Sequence, residues 1–328
     1  KGVLFMVNIV TDIVSTADVV TQILLLLGGI GALVLAFKLL SDNIEKLATG
    51  GLKRMFSSKV SKNPLVGVGV GAGATAVIQS SSATTVMIVG FVNAGVMNLF
   101  QATSMIMGAN IGTTVTAWLV SWLGFKADIS ILAVPLMAVG FILSMSKKDN
   151  RRNISELIVG FSLLFLGLSL MKNSVPNLSE TPEVLSFIQG WQGYGFGSVL
   201  IFLVFGSILT LVLQSSSATM ALTLIMLNMG WIKFDMACAM VLGENIGTTI
   251  TANIAAAVAN TSAKRAARAH TIFNIIGVIW VLAVFPPIVK LICLIMVKLG
   301  FQDPMAASAS LAAIANGTLS GDAEAIEL

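Results

Sequence analysis

One polar phrase is written twice in this chain, inside apolar surroundings. Gln79-Ser80-Ser81-Ser82-Ala83-Thr84 returns 135 residues later as Gln214-Ser215-Ser216-Ser217-Ala218-Thr219. A second phrase keeps that offset: Gly108-Ala109-Asn110-Ile111-Gly112-Thr113-Thr114 becomes Gly243-Glu244-Asn245-Ile246-Gly247-Thr248-Thr249. Upstream, Gly71 and Thr75 match Gly206 and Thr210. Several matches at one spacing mark an internal duplication, so the fold must hold two copies of one unit. The expected division is 1–171 for the first copy and 172–328 for the second, both within one transmembrane domain.

The surroundings decide the solvent. Of 328 residues, 56% are hydrophobic and 10% charged, with a mean hydropathy of +0.94. A soluble domain carries roughly 25% charge, so this chain cannot cover a water-facing surface. Its apolar runs are continuous rather than alternating, which argues against a barrel and predicts an all-α polytopic membrane protein in contact with the lipid bilayer. The net charge of +4 is small and sits in loops, so it speaks to topology and not to nucleic acid. Cys238 and Cys293 lie in apolar stretches and read as inert core residues; the sixteen methionines read as packing. Residues 1–18 lack a small-residue cleavage site and do not read as a signal peptide.

Taken in order, apolar segments fall at 19–40, 64–98, 101–123, 130–146, 154–171, 196–229, 234–259, 269–285 and 288–300. Pro135 predicts a kink and Pro286-Pro287 a break. Segments 64–98 and 196–229 are interrupted at their serines, so each is either two passes or a re-entrant hairpin. The polar stretch 172–195 ends in Trp191 and Tyr194, followed by Phe196, residues that suit a membrane–water interface. Residues 305–328 are small and polar and predict no terminal helix.

Loops 41–62, 147–152 and 260–268 concentrate Lys and Arg, which assigns them to the cytoplasmic side of a multi-pass protein in the cell (inner) membrane. Segments 64–98 and 196–229 must then return to the side they left. The stretch matching 41–62 is 176–197, which is net acidic and falls outside. The copies therefore enter from opposite faces, as two inverted-topology repeats with re-entrant or broken helices, an arrangement many secondary transporters use.

A broken helix exposes backbone N–H groups and a positive dipole end, which can hold an oxyanion, and serine hydroxyls add uncharged donors. Neither copy's apolar stretch contains Lys or Arg. A multivalent anion held there by N–H and O–H groups alone stays under-neutralised, unless cations bind beside it. Gln79, Gln214, Asn110, Asn245 and the neighbouring threonines offer neutral oxygen ligands for a small hard cation. Such coupling is reciprocal, so the pattern points to cation-coupled movement of a small anion. The plainer alternative is that Ser, Thr, Gly and Asn only pack and bond the helices together. Glu244 has Ala109 as its counterpart; an intramembrane carboxylate there serves as a cation ligand, a proton carrier or a hydrogen-bonded helix contact. His270 and Asn274 share one helix face, as structural residues or as a relay.

These phrases resemble the type II sodium/phosphate cotransporter family, including its bacterial members. Both Gln-Ser-Ser-Ser strings match that family's paired signature, both Asn-Ile-Gly-Thr-Thr strings its companion phrase, and His270 to Asn274 a further recurrent stretch. The similarity covers roughly residues 20–285. It implies sodium-driven symport of inorganic phosphate by an inverted-repeat core, with sodium as coupling ion and no other cofactor. It places phosphate on Ser80, Ser81, Ser82, Ser215, Ser216 and Ser217. Sodium contacts go to Gln79, Gln214, Thr84, Asn110, Thr113, Thr114, Asn245, Thr248 and Thr249, with Glu244 a further candidate. Glu244 departs from the family pattern, which usually has a small neutral residue there. Family members tend to continue beyond a point like Leu328, and many bacterial members carry a soluble regulatory domain.

The expectation is thus a secondary carrier and not an enzyme. Carriage of another small oxyanion is the alternative; arsenate, sulfate, ion stoichiometry and oligomeric state are left open by the residues. A serine hydrolase would need an activating base beside its nucleophile, yet there is no Gly-x-Ser-x-Gly elbow and one histidine. A passive channel would line its path with rings of charge or carbonyls, which the sequence does not display.

Overall fold

The computed structural model describes residues 27–40, 63–121, 130–174 and 188–319, with isolated positions at 21, 24, 25, 42, 43, 46 and 326. Every regular element among them is helical and none is a strand. Most of the loop 41–62, the turn 124–129 and the polar stretch 175–187 lie outside the described residues.

Helix α1 is Leu27–Leu40. The first copy then supplies α2 (Pro64–Ile78), α3 (Ser81–Asn93) and α4 (Leu99–Ser121). Helices α5 (Ser130–Ser144) and α6 (Asp149–Ser174) follow. The second copy supplies α7 (Phe196–Leu213), α8 (Ser216–Asn228), α9 (Phe234–Gly247) and α10 (Thr249–Ala256). Helices α11 (Thr261–Ala283), α12 (Phe285–Lys298) and α13 (Pro304–Ala315) complete the fold. Among the described residues, Asp149–Leu170, Phe196–Leu213 and Thr261–Ala283 are long and apolar enough to cross a membrane. On α7 and α11 large apolar side chains such as Val204, Ile208, Val212, Ile272, Ile276 and Trp280 are exposed on the outer face, as lipid contact requires.

Missing side chains fix the packing of α2 on α4. Gly67 meets the Ser104 side chain, Gly71 the Met105 carbonyl, Gly108 the Val68 carbonyl and Gly112 the Ala72 carbonyl. A Cβ on Gly112 would lie 2.6 Å from that of Thr75. Small residues let the two backbones touch, the usual means of association where lipid removes the hydrophobic drive. The pairs advance together along both helices, so α2 and α4 run parallel. The intervening α3 must therefore carry the chain back, and 64–98 is a hairpin that returns to the side it left. Copy two repeats the contacts: Gly206 meets Met240, Gly243 meets Leu203, and Gly247 meets Ser207 and Thr210. At ~1.5 Å per residue, α2 and α3 reach only about 20 Å, short of a hydrocarbon core of about 30 Å.

The two copies share each other's cores. One apolar cluster joins α8 and α9 to Leu33, Ala36 and Phe37 of α1 and to Leu164, Phe165 and Leu168 of α6. The other joins α2, α3 and α4 to Ala252 and Ala256 of α10 and to Ala263, Ala266 and Ala267 of α11. Each hairpin thus packs on helices from the opposite half of the chain. Helix α1 lies antiparallel on α6, with Gly160 against Leu39 and Leu40 and Gly167 against Gly29 and Leu33.

Four expectations change. The basic stretch 260–268 is not a loop: Asn260 caps Ala263 N–H at 2.9 Å and α11 starts at Thr261. Ala263, Ala266, Ala267 and His270 are buried at helical spacing, and Arg265 and Arg268 sit on the exposed face. Likewise α6 begins at Asp149 and takes Arg151 and Arg152 into its first turn. Segment 234–259 is interrupted, since α9 ends at Gly247 and α10 begins at Thr249. A terminal helix does form: Asp303 caps Met305 N–H at 2.9 Å, Pro304 opens α13, and Ala307, Ser308 and Leu311 are buried.

Candidate functional site: two serine turns at one cavity

The serine phrase builds the same turn twice. Gln79 ends α2 at φ 59 and Gln214 ends α7 at φ 53, both in the left-handed region. Ser80 and Ser215 then turn extended, at φ −147 and −148, and cap the next helix. Each hydroxyl accepts from the N–H three residues on, Ala83 or Ala218, at 3.2 Å. Thr84 Oγ1 donates to the Ser80 carbonyl at 2.9 Å, and Thr219 Oγ1 to that of Ser215 at 3.0 Å.

The glutamine side chains hold the turns in place. Gln79 Nε2 donates to the Ala76 carbonyl and Gln214 Nε2 to that of Leu211. From the facing helix, Thr116 Oγ1 donates to Gln79 Oε1 at 2.9 Å, and Thr251 Oγ1 to Gln214 Oε1 at 3.0 Å. Thr116 and Thr251 again stand 135 residues apart, beyond both written phrases.

The turns meet. Gln79, Ser80, Ser81, Ser82 and Ala83 line one cavity of about 410 Å³ together with Leu213, Gln214, Ser215, Ser216 and Ser217. The N–H groups of Ser81, Ser82, Ser216 and Ser217 stand at helix N-termini, where no intrahelical acceptor exists. Two positive helix ends and a set of hydroxyls therefore border the same space, which suits an oxyanion.

The remaining wall comes from α1: Val34, Phe37, Lys38 and Asp42. Lys38 supplies a cationic side chain that neither serine hairpin, 64–98 or 196–229, contains. Its sequence signal was a single charge near the end of an apolar run, and nothing in helical periodicity assigns that helix to this cavity.

The other candidates lie elsewhere. Thr113 and Thr248 donate back to carbonyls of their own helices, Ala109 and Glu244, at 3.2 and 2.8 Å. Thr114 Oγ1 donates to the Ile111 carbonyl, and Thr249 Oγ1, at the start of α10, to the carbonyl of Ile246 near the end of α9. Asn110 Nδ2 donates to Asn274 Oδ1 at 2.7 Å, joining α4 to α11, and Asn274 Nδ2 donates to the His270 carbonyl. Asn245 Nδ2 donates to the Val241 carbonyl at 3.1 Å. His270 is buried beside Phe273, and neither ring nitrogen has a partner among the described residues.

Glu244 is 3% exposed, and Thr223 Oγ1 donates to its Oε1 at 3.0 Å. At the offset of 135, copy one has Ile88 and Ala109 in these places. The carboxyl and its hydroxyl partner are thus present together in one copy and absent together from the other. Thr219 Oγ1 also accepts from Thr210 Oγ1 at 3.1 Å, whereas the matching Thr75 hydroxyl is buried with no partner among the described residues.

A helical membrane protein with two matching serine turns at one cavity has the build of a membrane transport protein. The chain belongs to the Na+/Pi-cotransporter family, whose model matches residues 6–173 and 196–302. It is 30% identical over 271 residues to YqeW of Bacillus subtilis (strain 168), covering 79% of this chain and 82% of that protein. It is 27% identical over 278 residues to YjbB of Escherichia coli (strain K12), which is named for inorganic phosphate export. That alignment covers 84% of this chain and spans about half of YjbB, 48%. Over 101 residues it is 33% identical to the human sodium-dependent phosphate transport protein 2B, covering 30% of this chain and 15% of that protein. No solved structure matches the chain.

Proposed function

We propose that the protein carries inorganic phosphate through the cell (inner) membrane by sodium-coupled symport. The observation that carries this reading is the convergence of both serine turns on one cavity. Phosphate sits among Ser80, Ser81, Ser82 and Ser215, Ser216, Ser217, held by hydroxyls and free helix N–H groups. Sodium ions bind beside it, at Gln79, Gln214 and Thr84, and offset the anion's charge where water is scarce. Glu244 with Thr223 offers copy two a further cation position.

The hairpins enter from opposite faces and meet tip to tip, and access alternates as one repeat moves against the other. Two hairpins of about 20 Å that share one cavity support that arrangement. Net direction follows from the sodium and phosphate gradients, since coupling between two ligands is reciprocal. The same site therefore serves uptake or export.

Uptake of radiolabelled phosphate into proteoliposomes tests the reading. An inward sodium gradient should accelerate uptake, and counterflow should exchange labelled for unlabelled phosphate. Equal rates with sodium and choline outside would refute sodium coupling.

A further inference from the structure

The geometry points to Lys38 as a substrate-contacting residue that sets the affinity of the serine cavity for a charged oxyanion. This rests on the phosphate reading above and extends it to a helix outside both serine hairpins.

Lys38 lines the cavity that the six serines line. On α1, Val34, Lys38 and Asp42 stand four residues apart and so share one helix face, which is the face turned to the cavity. The Lys38 side chain is exposed, and no acid among the described residues forms an ion pair with it. By contrast, Lys46 further along lies 3.7 Å from Glu156. Lys38 is thus an uncommitted ammonium at the open wall of a pocket otherwise built from hydroxyls, amides and N–H groups.

Phosphate carries one to two negative charges near neutral pH, and neutral donors alone leave that charge poorly offset in a space with little water. An ammonium on a four-carbon stem can follow the anion inward while its methylenes rest on Val34 and Phe37. A charge-assisted bond is also stronger than the neutral ones around it. The two serine hairpins then supply the shape of the site, and α1 supplies the positive charge. Sodium remains necessary, because one ammonium does not offset a dianion together with the carboxylate of Asp42 on the same wall.

The full chain in proteoliposomes provides the test, read as phosphate half-saturation, maximal rate and sodium half-saturation, with equilibrium binding of labelled phosphate alongside. Lys38→Ala should raise phosphate half-saturation and the binding constant by about tenfold or more, with maximal rate and sodium half-saturation near wild type. Lys38→Arg should restore most of the affinity, and Lys38→Glu should abolish it. Lys38→Cys should react with an anionic methanethiosulfonate more slowly when phosphate is present. Wild-type phosphate affinity in Lys38→Ala, or no phosphate protection of Lys38→Cys, would overturn the assignment while leaving the transport reading intact. A wild-type protein that binds no phosphate would overturn both.

Discussion

Gln79 and Gln214 hold the same left-handed backbone, φ 59 and 53, and are the non-glycine residues with positive φ among those described. L-residues pay roughly 1 kcal/mol for that conformation, and glycine does not. Glycine is the default there, yet both copies keep glutamine, whose two side-chain bonds reach Ala76 and Thr116 in one copy and Leu211 and Thr251 in the other. Gln79→Gly and Gln214→Gly should therefore fold with stability within about 1 kcal/mol of wild type, because relieved strain offsets lost bonds. Both should lose most sodium-dependent phosphate transport. Melting in detergent beside uptake in proteoliposomes reads the two effects apart.

The serines within one turn differ in their work. Ser80 and Ser215 are caps, so Ser80→Ala or Ser215→Ala should cost about 1 kcal/mol of stability. Ser81 and Ser216 cap nothing. Ser81→Ala and Ser216→Ala should keep the melting temperature and lose transport at least about tenfold. Equal melting for all four variants would contradict the division of roles.

Gly108 and Gly243 lie against the carbonyls of Val68 and Leu203. An added methyl has no room, since backbone rather than a flexible side chain stands in its way. Gly108→Ala and Gly243→Ala should each destabilise by about 2–3 kcal/mol and reduce monodisperse yield. Gly69→Ala, where a Cβ meets nothing within 4 Å, should be tolerated. Size-exclusion profiles of the three variants check this.

Glu244 and Thr223 stand where copy one has Ala109 and Ile88. Glu244→Ala combined with Thr223→Ile gives copy two the pattern of copy one. This double variant should fold, weaken apparent sodium affinity about tenfold and keep phosphate affinity at saturating sodium. Unchanged sodium dependence would remove Glu244 from the cation sites.

How much of this was legible in the sequence varies residue by residue. The duplication and the serine break could be read, because small polar residues in an apolar run have few explanations. The parallel course of α2 and α4 could not, although its cause, Gly67, Gly71, Gly108 and Gly112, was in plain view. Spacing within a helix does not say which helix it meets. Charge misled at 260–268, where Lys264, Arg265 and Arg268 suggested a loop and the alanines between them build a buried helix face. Thr223 and Ile88 lie outside the shared phrases, so the partner of Glu244 became visible only in space. Lys38 was hidden for the same reason.

Equilibrium binding of labelled phosphate to the purified protein, in sodium and in choline buffers of equal ionic strength, tests the central claim most directly. Binding should be at least about tenfold tighter in sodium, and phosphate should tighten sodium binding by the same factor. Equal phosphate affinity in the two buffers would contradict a cavity in which alkali ions offset the charge of the anion.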